Sequence, residues 1–245
     1  MVQKKTTISD TTLSESTLGK LFVVATPIGN LGDMTYRAVE TLKSVDTILC
    51  EDTRTTGKLL AHYEIKNKTM SFHSHSKLAK VDKIIDMIRC GQNLALVSDA
   101  GTPCISDPGV MLVSELRKAL GDALIISPIP GASALISALS VAGVPVHEFT
   151  FLGFIPHKKG RETLFNEIAT IHHTVVCYES VHRIMKTLDS LHQVMPERTI
   201  TLARELTKMF ETIQTGTAQF LRESFDNNPE SLRGEFVIIV HPIKS

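Results

Sequence analysis

The sequence predicts an α/β protein of two α/β domains, the first built on an open, mostly parallel sheet and the second on a mixed sheet. Short apolar runs rich in β-branched residues alternate with helical stretches, which is the element order of α/β folds. In the first half of the chain these runs are almost continuously apolar, as in parallel strands that helices cover on both faces. After residue 145 the strand-like runs lie further apart, and this change indicates a second domain.

The first domain is expected to hold five strands and four helices. Four buried strands are predicted at 21–26, 46–51, 93–99 and 123–128. A fifth strand at 69–75 has a more alternating pattern and is a candidate for the sheet edge. The intervening helices are predicted at 33–44, 53–62, 77–90 and 109–120.

The second domain is expected to hold four strands and three helices. The strands are predicted at 148–154, 174–180, 199–205 and 235–241, and the helices at 160–171, 181–193 and 217–224. We therefore divide the chain into four regions: a flexible Ser/Thr-rich tail (1–18), an N-terminal domain (19–130), a connecting helix or linker (131–146) and a C-terminal domain (147–245).

Composition argues against several classes of protein. The 26 Lys and Arg residues balance 26 Asp and Glu residues, so nucleic-acid binding requires a local basic patch. The four cysteines lie far apart without a C-x-x-C pair, which argues against a zinc site or disulfide framework and favours a cytoplasmic location. No apolar run approaches the roughly 18 residues of a membrane helix, and the N-terminus lacks the apolar core of a secretory signal. We expect neither metal nor membrane contact.

Three predicted strand ends in the first domain carry unusual loops, at 25–33, 97–109 and 128–134. They are rich in Gly, Pro, Ser and Asp, and one connecting turn does not need so many small and rigid residues. In open α/β sheets, ligands bind beyond the carboxyl ends of the strands. The loops therefore predict a small pocket that is read largely by the main chain, although tight connecting turns are the alternative for each loop alone.

The ligand of this pocket is expected to carry donors or positive charge and no phosphate. Neither the dinucleotide fingerprint G-x-G-x-x-G nor the P-loop pattern is present, and no lysine follows the glycines. Asp99 and Asp107 lie in the 97–109 loop and suit a cationic ligand. S-adenosylmethionine, with a sulfonium, an ammonium and ribose hydroxyls, fits this chemistry.

Several longer stretches carry a family resemblance. "VATPIGNLGDMTYRAVETLKSVD", "CEDTRTTGKLL", "ALVSDAGTPCISDPG", "PGASALISAL", "FLGFIPHKKGR", "YESVHRI", "ARELTK" and "GEFVIIV" together span roughly residues 21 to 240. The chain resembles the tetrapyrrole-methylase-like superfamily of S-adenosylmethionine-dependent methyltransferases, and within it the members that act on ribosomal RNA. One departure is Val181, where the family pattern has a proline.

The resemblance implies a function and a site. It implies 2′-O-methylation of a cytidine ribose in the decoding region of 16S ribosomal RNA, by a homodimer that holds S-adenosylmethionine in the cleft between two tetrapyrrole-methylase-type domains. Carried over by position, the cofactor-binding residues are expected to be Ile28, Asp99, Thr102, Ile105, Ser133, Ala134, Tyr178 and Glu205.

An RNA substrate requires basic surface beside the pocket. Between residues 54 and 83 seven basic residues stand against two acidic ones, and "HKKGR" at 157–161 contains no acid. A solvated surface without function is the alternative. The candidate RNA-binding residues are Arg54, Lys58, His73, Lys158, Lys159, Arg161, Arg183, Arg204 and Lys208.

Transfer of a methyl group to a ribose hydroxyl benefits from a general base. Glu51, Asp52 and Glu179 lie at predicted strand ends that face the same crevice, and we take them as candidate catalytic residues; structural salt bridges are the alternative for each. Phe149, Phe151 and Phe154 alternate imperfectly, so we interpret them as core residues rather than as a base-stacking platform. Two other functions stay open: methylation of a corrin or porphyrin precursor, and a non-catalytic role in RNA binding or ribosome assembly.

Overall fold

A computed structural model of the chain describes residues 18–73 and 78–243. The predicted tail therefore lies outside the described residues, apart from its last residue, as does the end of the predicted edge strand at 74–75. Among the described residues, no helix has the length and apolar character that crossing a membrane demands.

The first sheet has five strands that all run parallel. They are β1 (Leu21–Val24), β2 (Thr47–Cys50), β3 (Lys68–Ser71), β4 (Leu94–Leu96) and β5 (Ile126–Ile129). Their spatial order is β3-β2-β4-β1-β5, and Leu21 of β1 lies opposite both Leu94 of β4 and Ile126 of β5. The edge position of β3 agrees with the alternating pattern of its sequence.

Two pairs of helices cover the two faces of this sheet. They are α1 (Tyr36–Ser44), α2 (Thr53–His62), α3 (Leu78–Arg89) and α4 (Gly109–Leu120). Leu42 of α1 and Leu60 of α2 pack with Ile48 in one core, whereas Ile84 of α3 and Leu112 of α4 pack in another on the opposite face. Burial on both faces explains why these strands are almost continuously apolar.

The strands β1 and β4 are neighbours, but the helices that follow them lie on opposite faces of the sheet. Such a switch point opens a crevice at the carboxyl ends of the two strands. Main-chain hydrogen bonds join the loops there in both directions, from Thr26 N to Gly101 O (3.0 Å) and from Gly101 N to Thr26 O (3.1 Å).

The second sheet is mixed. Its strands are β6 (Phe149–Phe154), β7 (Thr174–Ser180), β8 (Thr199–Arg204), β9 (Thr212–Thr217) and β10 (Glu235–Val240), in the order β6-β7-β10-β8-β9. Only β6 and β7 pair in parallel among these strands. Three helices pack on one face around Phe165 and Leu188, namely α6 (Arg161–Thr170), α7 (Val181–Val194) and α8 (Ala218–Asn227).

The helix α5 (Ala134–Val141) connects the two sheets in the chain and covers the other face of the second sheet. Its Leu135, Ala138 and Leu139 pack against Val176 and Val237. The predicted fold class is thereby confirmed: two sheets of the α/β type, one parallel and one mixed. The domain limits at 130 and 146 stay a prediction.

Several strands differ from the sequence prediction. The strand predicted at 123–128 lies at Ile126–Ile129, since Gly121–Ala123 forms a short 3₁₀ helix before it, and the strand predicted at 69–75 lies at Lys68–Ser71. The run 93–99 forms a strand only at Leu94–Leu96, because the chain leaves the sheet to enter the loop that carries Asp99. The strand β9 was not predicted, since "TIQTGT" forms an edge strand whose first four residues are exposed and which therefore lacks an apolar pattern.

Candidate functional site

A cavity of about 420 Å³ lies between the two sheets, at the carboxyl ends of β1 and β4; we call it the central cavity. The part of the chain that precedes β6 contributes the lining residues Ile28, Glu51, Ser98, Asp99, Ala100, Gly101, Thr102, Ile105, Ser106, Asp107, Pro108, Ser133 and Ala134. The second sheet and its loops contribute Phe154, Tyr178, Glu179, Ser180, Ala203, Glu205, Leu206, Lys208, Glu235, Phe236 and Val237.

The loop between β4 and α4 forms one wall of the central cavity and is fixed by internal hydrogen bonds. The Thr26 hydroxyl donates to Ser98 O (3.1 Å), and the Ser98 hydroxyl donates to Gly101 O (3.2 Å). The Thr102 hydroxyl donates to Ala132 O (3.1 Å), which ties this loop to the start of α5. The wall is therefore held in shape by the protein itself.

Residues with side chains adopt left-handed backbone conformations on both sides of the central cavity. Cys104 (φ 70°) and Ser106 (φ 66°) do so in the β4–α4 loop, and Glu205 (φ 50°) and Thr207 (φ 67°) do so after β8. Each such residue costs on the order of 1 kcal/mol. Strain of this kind concentrates where a loop must present particular atoms to a ligand.

Three carboxylates stand close together on the first-sheet side. Burial raises the pKa of Glu51, and the negative charges of Asp107 and Asp99 raise it further. The Asp99 Oδ1 accepts a hydrogen bond from Asp52 N at 3.3 Å, and the Asp107 Oδ1 accepts from Gly109 N at 2.7 Å. Glu51 thus has a raised proton affinity.

On the second-sheet side of the central cavity, a lysine forms ion pairs with two carboxylates. Lys208 Nζ lies 2.8 Å from Glu205 Oε1 and 2.9 Å from Glu235 Oε2. Burial opposes ionisation of Glu205, but the hydrogen bonds from Lys208 and from Glu235 N outweigh it, so the pKa of Glu205 is lowered. Among the described residues that line the cavity, Lys208 is the one cation, and two carboxylates already hold it.

Glu179 reaches the central cavity, but its carboxylate is fully buried and bound to internal partners. Arg183 lies 2.6 Å from its Oε1, and the Thr187 hydroxyl donates to its Oε2 at 2.7 Å. Arg161 lies 3.5 Å from Oε2, and Ser180 N donates to Oε1 at 2.8 Å. A carboxylate with its lone pairs occupied in this way is built to hold its neighbours in place rather than to accept a substrate proton.

The structure brings the predicted cofactor residues together. All of them line the central cavity: Ile28, Asp99, Thr102, Ile105, Ser133, Ala134, Tyr178 and Glu205. Of the candidate catalytic residues, Glu51 and Glu179 line it as well. Asp52 does not; its carboxylate accepts from Arg54 N (2.8 Å) at the start of α2 and pairs with the Arg54 guanidinium (2.6 Å), which lowers its pKa to about 2.

The candidate RNA-binding residues differ in their exposure. Arg54, Lys58, His73, Lys158 and Lys159 are exposed. Lys208 lines the central cavity, and Arg183 is half-buried with its Nη1 donating to Ile155 O at 2.7 Å.

Arg161 and Arg204 are buried, which corrects their expected place on the RNA-facing surface. The Arg161 guanidinium donates to the Thr187 hydroxyl (2.6 Å), and the Arg204 guanidinium donates to Ser231 O (2.6 Å) and Phe210 O (3.0 Å). We therefore remove both from the candidate RNA contacts, because counting basic residues along a sequence does not reveal burial.

Two lining residues were not expected in the site from the sequence. Glu235 begins β10 and adds a carboxylate to the cavity mouth. Phe154 is exposed at the mouth although it was interpreted as core; a glycine beside it was the available signal of an irregular strand. Within the described residues, no group of three or more His, Cys, Asp or Glu side chains could hold a metal ion.

The amino-acid sequence is similar to those of known methyltransferases. The sequence model of the tetrapyrrole (corrin/porphyrin) methylases matches residues 20–221. Among curated proteins, "Ribosomal RNA small subunit methyltransferase I" of Vibrio cholerae serotype O1 is 47% identical over 223 residues, which are 90% of this chain and 76% of that protein. The same-named protein of Synechocystis sp. is 46% identical over 226 residues, 91% of this chain and 79% of its own length.

Solved structures share the fold at low sequence identity. The methyltransferase CobJ superposes with a TM-score of 0.66 at 20% identity, over 91% of this chain and 94% of that chain. Uroporphyrin-III C-methyl transferase from Thermus thermophilus, complexed with S-adenyl homocysteine, superposes with a TM-score of 0.60 at 15% identity, over 91% and 97%. The chain therefore belongs to the tetrapyrrole methylase family, in the group whose curated members are named ribosomal RNA small subunit methyltransferase I.

Proposed function

We propose that this methyltransferase uses S-adenosylmethionine to methylate the ribose 2′-oxygen of a cytidine in the decoding region of 16S ribosomal RNA. The observation that carries the proposal is the central cavity, which combines an interior rich in carboxylates with exposed basic residues on the elements around it. The names of the relatives support the RNA substrate. We also infer, from the family resemblance, a homodimer in the cytoplasm.

The residues of the central cavity fit S-adenosylmethionine. Six carboxylates line it, from Glu51, Asp99, Asp107, Glu179, Glu205 and Glu235, against one lysine that is already paired. Such a site suits a ligand with a sulfonium, an ammonium and hydroxyl donors, and repels a phosphate. Asp99, Ser133, Ala134, Tyr178 and Glu205 would hold the cofactor. When bound, it supplies an electrophilic methyl group.

Glu51 is the residue we assign as the general base towards the ribose hydroxyl. Its carboxylate lines the central cavity, is partly exposed, and has a pKa raised by burial and by the charges of Asp107 and Asp99. A base whose pKa moves towards the working pH transfers protons more effectively. Glu179, held by two arginines, is assigned a positioning role instead.

The exposed basic residues form two segments that flank the cavity loops. Arg54 and Lys58 lie on α2, directly after Glu51, while Lys158 and Lys159 follow β6. The Arg54 side chain is 88% exposed, so its guanidinium remains accessible even while paired with Asp52. Cations in two segments can hold the phosphates of an RNA strand while its ribose enters the cavity.

The test uses tritiated S-adenosylmethionine with small ribosomal subunits from a strain that lacks this protein. We expect transfer of label to the 16S RNA, and nuclease digestion should place it on the 2′-oxygen of one cytidine. Label on a base, on another RNA or on a tetrapyrrole precursor would contradict the proposal. A protein with only a binding role would transfer no label and would gain no thermal stability from the cofactor.

A further inference from the structure

Phe154 occupies an unusual position for an aromatic side chain of a central-cavity wall. It lines the cavity and yet is 58% exposed, whereas Phe149 and Phe151 of the same strand are partly buried and pack against the core that contains α5. Its ring makes an edge-to-face contact with Tyr178, at a centroid distance of 5.3 Å. The ring is therefore held on one side by a cavity residue and open on the other.

A β-bulge sets this orientation. The pairing of β6 with β7 shifts register between Phe151 and Phe154, and Gly153 has a φ of 65°, in the left-handed region that favours glycine. Because side chains alternate across a regular strand, Phe151 and Phe154 should point to opposite faces; the bulge brings both against Tyr178. Bulges commonly re-aim a side chain beside an active site.

The bulge also fixes Phe154 relative to the first-sheet wall. A β-carbon on Gly153 would lie 3.0 Å from the Ser106 hydroxyl oxygen. The backbone of the bulge thus packs directly against the strained β4–α4 loop. Contacts from both sides of the cavity therefore fix the position of Phe154. A phenylalanine without a role in the site would not need such contacts.

The segment after Phe154 carries positive charge and is anchored from within. Lys158 and Lys159 are exposed, and residues 155–160 contain no acid. The backbone of this segment is held by Arg183, which donates to Ile155 O (2.7 Å), and by Arg161, which donates to Pro156 O (3.3 Å). The buried Glu179 holds both arginines, so it positions the segment indirectly.

An open aromatic ring at a cavity mouth with two lysines shortly after it in sequence matches the chemistry of a nucleotide. Single-stranded nucleic acids are bound by aromatic rings that stack on bases together with cations that hold the backbone. The methyl donor has no phosphate for the lysines to pair with. Resting on the proposed function, we propose that Phe154 stacks on the base of the target nucleotide once that base has been unstacked from its RNA neighbours.

Stacking is tolerant of base identity, since every base offers a π-face. Phe154 therefore supplies affinity and alignment of the target nucleotide, and other residues discriminate cytidine. The substitution Phe154→Ala should lower kcat/KM for small subunits by about 10- to 100-fold, in the range measured for one stacked base. Phe154→Tyr should stay within a few-fold of wild type, whereas Phe154→Leu, which keeps an apolar side chain without a π-face, should resemble Phe154→Ala.

The experiment measures kcat/KM for subunits and, by calorimetry, the Kd for S-adenosylmethionine in each variant. The matched control is Phe220→Ala on α8, an aromatic of similar exposure that does not line the central cavity; it should behave as wild type. Ultraviolet irradiation of the wild-type complex should crosslink the peptide that contains Phe154 to the target nucleotide.

Three results would overturn the assignment while wild type still labels the RNA. They are an unchanged kcat/KM in Phe154→Ala, a Kd for the cofactor that rises by the same factor as kcat/KM falls, and a Phe154→Leu variant as active as Phe154→Tyr. The second result would make Phe154 part of the cofactor wall. If wild type binds the cofactor but transfers no label to subunits, the proposed function itself fails and this inference is withdrawn with it.

Discussion

Gly29 lies against the aliphatic chain of Lys208, so that a β-carbon at residue 29 would come within 2.4 Å of the lysine Cγ. Gly29 belongs to the loop after β1, and Lys208 belongs to the loop after β8, so this contact joins the two sides of the central cavity. Because Glu205 and Glu235 hold the ammonium end, the lysine chain has little freedom to move away.

Gly29→Ala should therefore displace Lys208 and loosen its hold on Glu205. The pKa of Glu205, now lowered by Lys208, should rise towards its ordinary value, and we expect cofactor affinity to fall by about tenfold, equivalent to 1.4 kcal/mol. Calorimetric titration with S-adenosylmethionine measures this change. Gly57→Ala is the control, because a β-carbon there meets no atom within 4 Å; equal losses in both variants would refute the explanation.

Glu51→Gln should reduce the single-turnover rate by about 10²–10⁴-fold while leaving the cofactor Kd nearly unchanged, because a positioned general base contributes a factor of this size. In wild type the rate should rise with pH through a pKa above the ordinary 4.5 of a glutamate. Rapid-quench measurement of methyl transfer across a pH series tests both statements. Assignment of the base to Glu51 would be abandoned if the variant kept its rate.

The same substitution has an opposite effect on stability. A raised pKa in the folded state means that folding favours neutral Glu51; its contribution is present at low pH and lost as the pH rises through the folded-state pKa. Glu51→Gln should thus melt above wild type at pH 7, and the difference should shrink below pH 4.5, where wild-type Glu51 is neutral. Calorimetric scans at pH 4 and pH 7 provide the comparison, and a variant that melts lower at pH 7 would contradict it.

Glu179→Gln should instead unfold readily. Removing one partner of a buried ion pair leaves the arginines Arg161 and Arg183 without compensation, which costs about 3–5 kcal/mol. Thr187→Val removes a single hydroxyl donor and should cost about 1–3 kcal/mol. Urea unfolding gives both values. If Glu179→Gln were fully stable but catalytically dead, Glu179 would be a catalytic residue after all.

Asp99→Asn tests the charge of the cavity wall. The amide keeps an oxygen for the hydrogen bond from Asp52 N, so the loop should stay in place while the negative charge is lost. We expect the cofactor Kd to rise by about 10- to 100-fold, the worth of one charged hydrogen bond, and the Kd for subunits to change by less than about twofold. Equal losses for both ligands would mean that Asp99 supports folding rather than cofactor binding. Asp86→Asn is the control, because the Asp86 side chain on α3 is exposed.

Lys158→Gln combined with Lys159→Gln should raise KM for subunits and reduce its dependence on salt. For each lysine that no longer pairs with a phosphate, the slope of log affinity against log salt should become shallower by about 0.7–0.9. Steady-state kinetics from about 50 to 200 mM salt measure the slope. Lys118→Gln, an exposed lysine at the far end of α4, should leave it unaltered.

Sequence periodicity predicted the regular elements best where a local signal marks an end of the element. The helices α2 and α4 have the predicted bounds, since Asp52 caps the start of α2 and Gly121 follows the end of α4. Six of the predicted cofactor residues meet in one cavity because the carboxyl ends of the parallel strands share one edge of the first sheet, whereas Tyr178 and Glu205 reach the cavity from the second sheet. Their roles as ligands stay a prediction.

The remaining features depend on tertiary structure that periodicity does not encode. A bulge at Gly153 turns Phe154 out of the core, and the buried Glu179 draws Arg161 inward from a sequence that looks like a basic surface. The edge strand β9 pairs with β8 on one side only and its first four residues are exposed, so its polar sequence carried no strand pattern.

The central cavity has walls from both sheets, and neither sheet alone forms a complete site. A molecule bound there recognises only the assembled pair, so its binding free energy stabilises both halves against unfolding by the same amount. We expect the two halves to lose structure in separate steps when the site is empty and to melt as one cooperative unit when it is filled. Occupancy of the site is therefore also a measure of whether the chain behaves as one folding unit or two.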